Sequence, residues 1–499
     1  MLRARGGREK MKPFLTSFGK ITVFFLAGVL ALCLSAIEAG SQGAQKHKTH
    51  TAAPGCHRPH RGYAPSGSVL HRTTPQEAGM TSGPLNAFAH DMKKWTDPSS
   101  RNEFLFPGAT WLIASEGNVV ARSSAGYAVR YGKDGRNIPA RQRQQARPDT
   151  IYDLASLSKL FTSLVAVQQL ESGRLHLNTP VSRYLPGFSV NNKERITVKE
   201  LLTHTSGLPP DPQPSLSQVQ GGKQEQTEAI LRSRPLSPAG SRYLYSDLNM
   251  LSLQLVLEKI TGRTLDALVR RDITAPLGMR DTGYNPPARE RKRIAATSYE
   301  AGRGLIHGSV HDNNAWAFGG VAGHAGVFST VDDLAVLSQT ILNGGSYCGQ
   351  RILSPHGINL LQRNYNQEFP GNAHGLGFEL DQKWYMGPLS SVRTLGHTGF
   401  TGTSLVIDRT SRSIVILLTN RVHPADQTPS TNPARRKIAQ TLARAVSVLP
   451  SGRAPRDLPY HTGGCLGWAR PPVFLPGMWS CGPGDVQLNP SSRRTSPRS

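Results

Sequence analysis

Ser156 and Lys159 stand three residues apart in the mostly apolar run DLASLSKLFTSLVAV, Asp153 to Val167. Residues at i and i+3 share one face of a helix, so the amine reaches the hydroxyl. Burying an unpaired lysine costs on the order of several kcal/mol. Desolvation favours the neutral amine, and a neutral or proton-sharing lysine activates an alcohol. The spacing therefore predicts a serine nucleophile primed by a lysine. Taken alone, S-x-x-K is also common on surface helices with no catalytic role.

Two more motifs follow in order. Tyr245-Ser246-Asp247 begins 89 residues after Ser156, and His397-Thr398-Gly399 begins 152 residues after Tyr245. The series S-x-x-K, Y-S-D, H-T-G resembles the serine β-lactamase and penicillin-binding-protein superfamily. It is most similar to class C β-lactamases, D-alanyl-D-alanine carboxypeptidases and related esterases. Family-like phrases recur at LLTHTSGLP (Leu201 to Pro209), APLGMRDTGY (Ala275 to Tyr284) and GGVAGHAGVFST (Gly319 to Thr330). The resemblance covers roughly residues 85–450. It implies Ser156 as the acyl-forming nucleophile and Lys159 as its hydrogen-bonding partner. Tyr245, its pKa lowered by Lys159, would carry the proton from Ser156 to the leaving group. Thr398 and Gly399 would line the cleft, and the backbone N–H groups of Ser156 and Phe400 would form the oxyanion hole.

Two residues depart from the family pattern. Asp247 stands where many members have asparagine, and ionised aspartate only accepts hydrogen bonds. It would repel a substrate carboxylate or hold Lys159 as a cation. His397 stands where β-lactamases usually have lysine, and histidine is mostly neutral near pH 7. Both changes lower the expectation of efficient β-lactam hydrolysis. The chain reads as an exported serine hydrolase working through an acyl-enzyme. A D,D-carboxypeptidase, D-amino-acid peptidase or esterase is expected. The alternatives are a β-lactamase and a catalytically silent module holding envelope peptides. The expected partner is a small-molecule or peptide substrate, peptidoglycan-derived peptides included. His204 reads as structural, His324 as structural or cleft-lining, and Ser158 as a packing residue. No G-x-S-x-G elbow, H-E-x-x-H, P-loop or paired G-x-G-x-x-G context is present, so neither metal nor cofactor is expected.

These motifs need elements to hold them. GPLNAFAHDMKKW reads as a helix, and GATWLIASEGNVVARSSAGYAV as a hairpin turning at Glu116-Gly117-Asn118. Asp153 is placed to cap the Ser156 helix and Gly173 to end it. Thr197 is a further N-cap. Toward the end of the domain TSLVIDRTSRSIVILLTNR reads as a hairpin turning at Asp408 to Arg412, followed by the amphipathic helix ARRKIAQTLARAVSVL. Strands at both ends and helices between them predict an α+β fold. One antiparallel sheet, built from both ends of the domain and flanked by helices with a helical insertion, is the expected β-lactamase/transpeptidase-like architecture.

The chain has 499 residues and a formal charge of +25. Residues 1–80 carry 11 Lys/Arg against 3 Glu. The short cluster RERKR (Arg289 to Arg293) has no interleaved aromatics, so no nucleic-acid partner is expected. Basic residues from Arg3 to Lys20 precede the apolar stretch Ile21 to Ala36, which reads as a signal peptide or membrane anchor over 1–40. That places the protein outside the cytoplasm, secreted or in the cell envelope. Residues 41–80, with His47, His50, Cys56, His57 and His60, read as a disordered linker. Residues 81–450 form the catalytic domain, and 451–499 a low-complexity or weakly ordered tail. Cys465 and Cys481 could pair in an oxidising compartment.

Overall fold

The computed structural model describes residues 69–100 and 103–447. The expected leader, the basic histidine-rich segment, Cys465, Cys481 and the tail lie outside the described residues. Within them, no helix is long and apolar enough to cross a membrane.

The main sheet draws its strands from both ends of the described chain. In chain order these are β1 (His71–Arg72), β2 (Gly108–Ser115), β3 (Asn118–Val129), β4 (Glu379–Leu380), β5 (Thr394–Thr398), β6 (Ser404–Asp408) and β7 (Ser413–Thr419). They lie side by side as β1-β3-β2-β7-β6-β5-β4, and Gln144–Gln145 adds an eighth strand on β3. All pairings are antiparallel except β1 with β3. The two expected hairpins are β2–β3 and β6–β7. The first turns with Glu116 at φ 50° and Gly117 at φ 84°, the double left-handed conformation that matches strand twist. In the second, the Asp408 carboxylate accepts from the N–H groups of Thr410 and Ser411, both at 3.0 Å.

Period-two alternation explains why β2 is buried along its whole length. Trp111 and Ile113 face helices α1 (Ser82–Trp95) and α6 (Asn432–Ser447), packing with Phe88, Met92, Ile438 and Leu442. Leu112 and Ala114 face the other layer, with Leu160 and Leu164 of α2 (Ser158–Glu171) and Leu334 of α5 (Val331–Leu342). Between these helices in sequence come α3 (Val198–Leu202) and α4 (Asp247–Thr261). Thr197 caps α3 in a full capping box with Glu200. Gly173, at φ 71°, follows the end of α2. This is the expected helix–sheet–helix sandwich.

Two expectations need correction. Residues 69–80, assigned to a linker, join the fold: β1 pairs with β3, and Met80 is buried against the α1 layer. Asp153 does not cap α2 directly. It lies in the short strand Tyr152–Asp153, and a 3-10 turn, Ala155–Leu157, intervenes before the helix.

Candidate active site

Asp153 shapes the turn that carries Ser156. Its carboxylate accepts from Ala155 N at 2.9 Å and from His311 N at 2.6 Å. Its carbonyl accepts from Thr401 Oγ1 at 2.7 Å. Ala155 has φ 47°. A left-handed residue with a Cβ costs about 1–2 kcal/mol and persists only where its surroundings enforce it. Here the buried Asp153 carboxylate supplies that enforcement, and Ser156 emerges at the cleft.

Lys159 is fully buried beneath the serine. Its Nζ donates to Ser156 Oγ at 2.9 Å and to the His324 carbonyl at 3.2 Å, and lies 2.8 Å from Asp247 Oδ1. Burial lowers its pKa, but the Asp247 charge and the Tyr245 hydroxyl outweigh that effect and leave it above the usual value. The Asp247 contact therefore favours the cationic lysine that the aspartate allowed, over the neutral or proton-sharing amine that burial alone would give. Of the two roles expected of Asp247, facing substrate or holding Lys159 as a cation, the 2.8 Å contact supports the second. Asp247 stands in the first turn of α4, where a helix N-terminus favours negative charge.

Tyr245 lines the cleft with Ser156, and Lys159 Nζ lies 4.8 Å from the centroid of its ring. Burial pushes its pKa up to about 12 even though Lys159 pulls it down. The anticipated lowering does not occur, and the phenol stays protonated at neutral pH. Its ring lies tilted against His204, with centroids 4.6 Å apart. His204 Nδ1 accepts from Ser246 N at 3.2 Å and lies 3.1 Å from Asn249 Nδ2. His204 is thus structural, as expected, and sets the tyrosine. His324 is buried with Nε2 2.8 Å from Asp312 Oδ1, so only its carbonyl serves Lys159. Ser158 Oγ accepts from Val327 N at 3.0 Å and ties α2 to the neighbouring strand.

The H-T-G segment ends β5. Gly399 can only be glycine: a Cβ there would lie 2.1 Å from Thr403 Oγ1 and 2.3 Å from the Leu154 carbonyl. That contact presses the strand against the nucleophile turn. His397 is buried, and its pKa is held down to about 3, mainly by burial and then by Lys159. It cannot offer a positive charge near neutral pH. The Phe400 side chain lies between two others, stacked on His311 with centroids 5.7 Å apart and facing the Arg421 guanidinium at 4.7 Å. Arg421 Nε donates to the Phe400 carbonyl at 2.8 Å. His311 Nε2 lies 2.9 Å from Asp426 Oδ1. The Phe400 ring is thus flanked by His311 and Arg421, and Arg421 also holds its carbonyl.

These pieces meet in one cleft of about 610 Å³. Ser156, Tyr245, His397, Thr398, Gly399 and Phe400 all line it, while Lys159 is buried against Ser156 and paired with Asp247. Sequence reading missed Tyr243, Glu379, Arg421 and Arg435, which also line it. Only Tyr243 carried a signal, standing two residues before Tyr245 on the same extended segment. Asp247, Asp312 and His324 bring metal-ligand atoms within 4.8 Å of one another. Lys159 and the His324–Asp312 pair already occupy those atoms, which does not suit a cation.

Comparison with known proteins agrees with this geometry. Residues 102–440 match the β-lactamase family profile. The chain belongs to the serine β-lactamase and penicillin-binding-protein superfamily. A relative from Escherichia coli K12, named "Putative D-alanyl-D-alanine carboxypeptidase", is 33% identical over 396 residues, covering 73% of this chain and 88% of the relative. One of the same name from Salmonella typhi is 32% identical over 397 residues, covering 73% and 89%. Among solved structures, a penicillin-binding-protein homologue from Caulobacter crescentus matches with TM-score 0.57 at 21% identity, covering 73% of this chain and 98% of that one. EstCE1, a hydrolase with promiscuous acyltransferase activity, matches with TM-score 0.56 at 23% identity, covering 71% and 98%. These two carry the fold. Membership of the superfamily, together with the named relatives, makes this protein a serine hydrolase.

Proposed function

We propose that this serine hydrolase is a D,D-carboxypeptidase or D-amino-acid peptidase acting through an acyl-enzyme on Ser156, with esterase activity on the same centre. The observation that carries this reading is Lys159 Nζ at 2.9 Å from Ser156 Oγ, with Asp247 2.8 Å from the same amine. Ser156 Oγ attacks the substrate carbonyl. Its proton moves to Tyr245 Oη as the tyrosine proton passes to the leaving group, so the phenol acts as a relay and never as a standing base. The Lys159 ammonium stabilises the negative charge that develops between Ser156 and Tyr245. The backbone N–H groups of Ser156 and Phe400 meet the carbonyl oxygen. Water then releases the acyl group by the reverse proton path.

The relatives' names support the peptidase reading, and the neutral His397 supports turnover of uncharged esters. With His397 uncharged, the carboxylate of a D-alanine leaving group would rely on Thr398 and the cleft arginines. The basic and apolar pattern of residues 1–40 supports work outside the cytoplasm. The test is a hydrolysis panel of short 4-nitrophenyl esters, D-Ala-D-Ala peptides and nitrocefin. Turnover of esters and peptides that vanishes in Ser156→Ala, with nitrocefin much slower, is expected. Peptides left intact while nitrocefin is rapidly opened would overturn the peptidase assignment.

A further inference from the structure

Cys348 is the one cysteine among the described residues, and it is held in a disulfide. It sits at the tip of a hairpin, in the two-residue turn between Ser346–Tyr347 and Gln350–Arg351. Cys348 at φ 48° and Gly349 at φ 78° give that turn its double left-handed form. The described chain starts beside this hairpin. Leu70 N donates to Tyr347 Oη at 3.2 Å, and Leu70 and Tyr347 pack on the same core. Within the chain, the partner of Cys348 is one of Cys33, Cys56, Cys465 and Cys481. Cys56 stands 14 residues before Leu70, a stretch that reaches up to about 46 Å. Because Leu70 already touches the hairpin, closing that short loop costs little further chain entropy. Cys33 lies inside the apolar run read as a leader. Cys465 and Cys481 follow the end of α6, which packs in the opposite helical layer, where Thr81 N donates to the Ala445 carbonyl. They stand 16 residues apart and can satisfy each other.

We propose that Cys348 is bonded to Cys56, and that this bond is a redox-sensitive strap fastening β1 to the sheet. β1 is two residues long and lies at the sheet edge. His71 N and Thr73 N donate to the Gly117 and Val119 carbonyls at 3.1 and 3.2 Å. So few bonds hold an edge strand weakly by themselves. Forming the strap takes two protons and two electrons from the two thiols. A disulfide-bearing oxidant, glutathione disulfide or a thiol oxidoreductase, receives them and is reduced to two thiols. The bond suits the oxidising surroundings expected for an exported chain, and rests on that part of the proposed function. Cys348 does not line the Ser156 cleft, so the strap acts on the fold and not on the chemistry.

The test is peptide mapping of the full chain without reduction, after free thiols are blocked with iodoacetamide. A peptide pair joining Cys56 to Cys348 is expected, and it should separate on adding dithiothreitol. Cys348 joined to Cys465 or Cys481, or alkylated as a free thiol in oxidised protein, would overturn the proposal. Protein isolated with reduced thiols is first equilibrated in a glutathione redox buffer. Bond formation only there supports the strap and counts against export, and failure to form there overturns the strap. Hydrogen exchange then reads what the bond does. In Cys56→Ser the amides of Leu70, His71 and Thr73 should exchange about tenfold faster or more, with Ser156-dependent ester turnover within about twofold of wild type. Unchanged exchange at those three amides would overturn the fastening role. Should the variant fail to fold, the same comparison is made on wild type before and after dithiothreitol.

Discussion

Lys159 Nζ lies 2.8 Å from Asp247 Oδ1, and the lysine side chain is only 1% exposed. This contact favours the charged form of the amine that touches Ser156. Removing one partner of a buried ion pair costs about 3–5 kcal/mol. Asp247→Leu is expected to lose that much in denaturant unfolding, while Asp247→Asn, which keeps an acceptor, loses less. The folded pKa of Lys159 lies above its ordinary 10.5. The stabilisation is therefore complete below about pH 10.5 and drains as pH rises through the folded value. Asp247→Asn removes the main upward influence on the lysine. The alkaline limb of its pH–rate profile should move to lower pH.

The histidines divide by charge. His397 is held down to about 3 and His374 to about 4, chiefly by burial. For His324, burial works the other way from the Asp312 charge, and the net effect is upward. Side-chain NMR should show His397 and His374 staying neutral from pH 8 to pH 5, and His324 holding its proton above the range of an exposed histidine. A His397 signal that titrates near pH 6.5 would contradict its buried, neutral assignment.

Gly399→Ala places a methyl group 2.1 Å from Thr403 Oγ1 and 2.3 Å from the Leu154 carbonyl. The strand must move off the nucleophile turn. Such overpacking costs about 1–3 kcal/mol, and displacing groups aligned for reaction costs further rate. We expect the midpoint of thermal unfolding to fall and kcat to drop by about tenfold or more. An unchanged kcat would detach the strand from catalysis.

Phe400 is 51% exposed yet held between His311 and Arg421. Its N–H is the proposed oxyanion donor, so loosening either wall should act on rate. His311→Ala is expected to lower kcat about three- to tenfold with little change in KM, since the transition state uses that donor more than the ground state does. A pure KM effect in steady-state kinetics would place His311 in substrate binding instead.

Much of this site was readable in the chain before any folding. Ser156 and Lys159 are local neighbours, so helical spacing alone brings them together. The β2–β3 and β6–β7 hairpins are also local, and turn residues at Glu116-Gly117 and Asp408 to Arg412 mark them. What failed was the balance of opposed effects. Burial argues for a neutral Lys159, and only the Asp247 contact reverses that. Lys159 argues for an acidic Tyr245, and only the depth of burial reverses that. Glu379, Arg421 and Arg435 escaped notice because they reach the cleft from a sheet edge, a loop and the last helix. Nothing in their local sequence marks those positions as neighbours of Ser156.

The most direct measurement of the central claim is intact-protein and peptide mass spectrometry after brief incubation with a fluorophosphonate or a slowly released acyl donor. One covalent adduct should form, on the peptide containing Ser156, and be absent from Ser156→Ala. An adduct of equal yield in that variant, or one mapped to a different residue, would contradict the account.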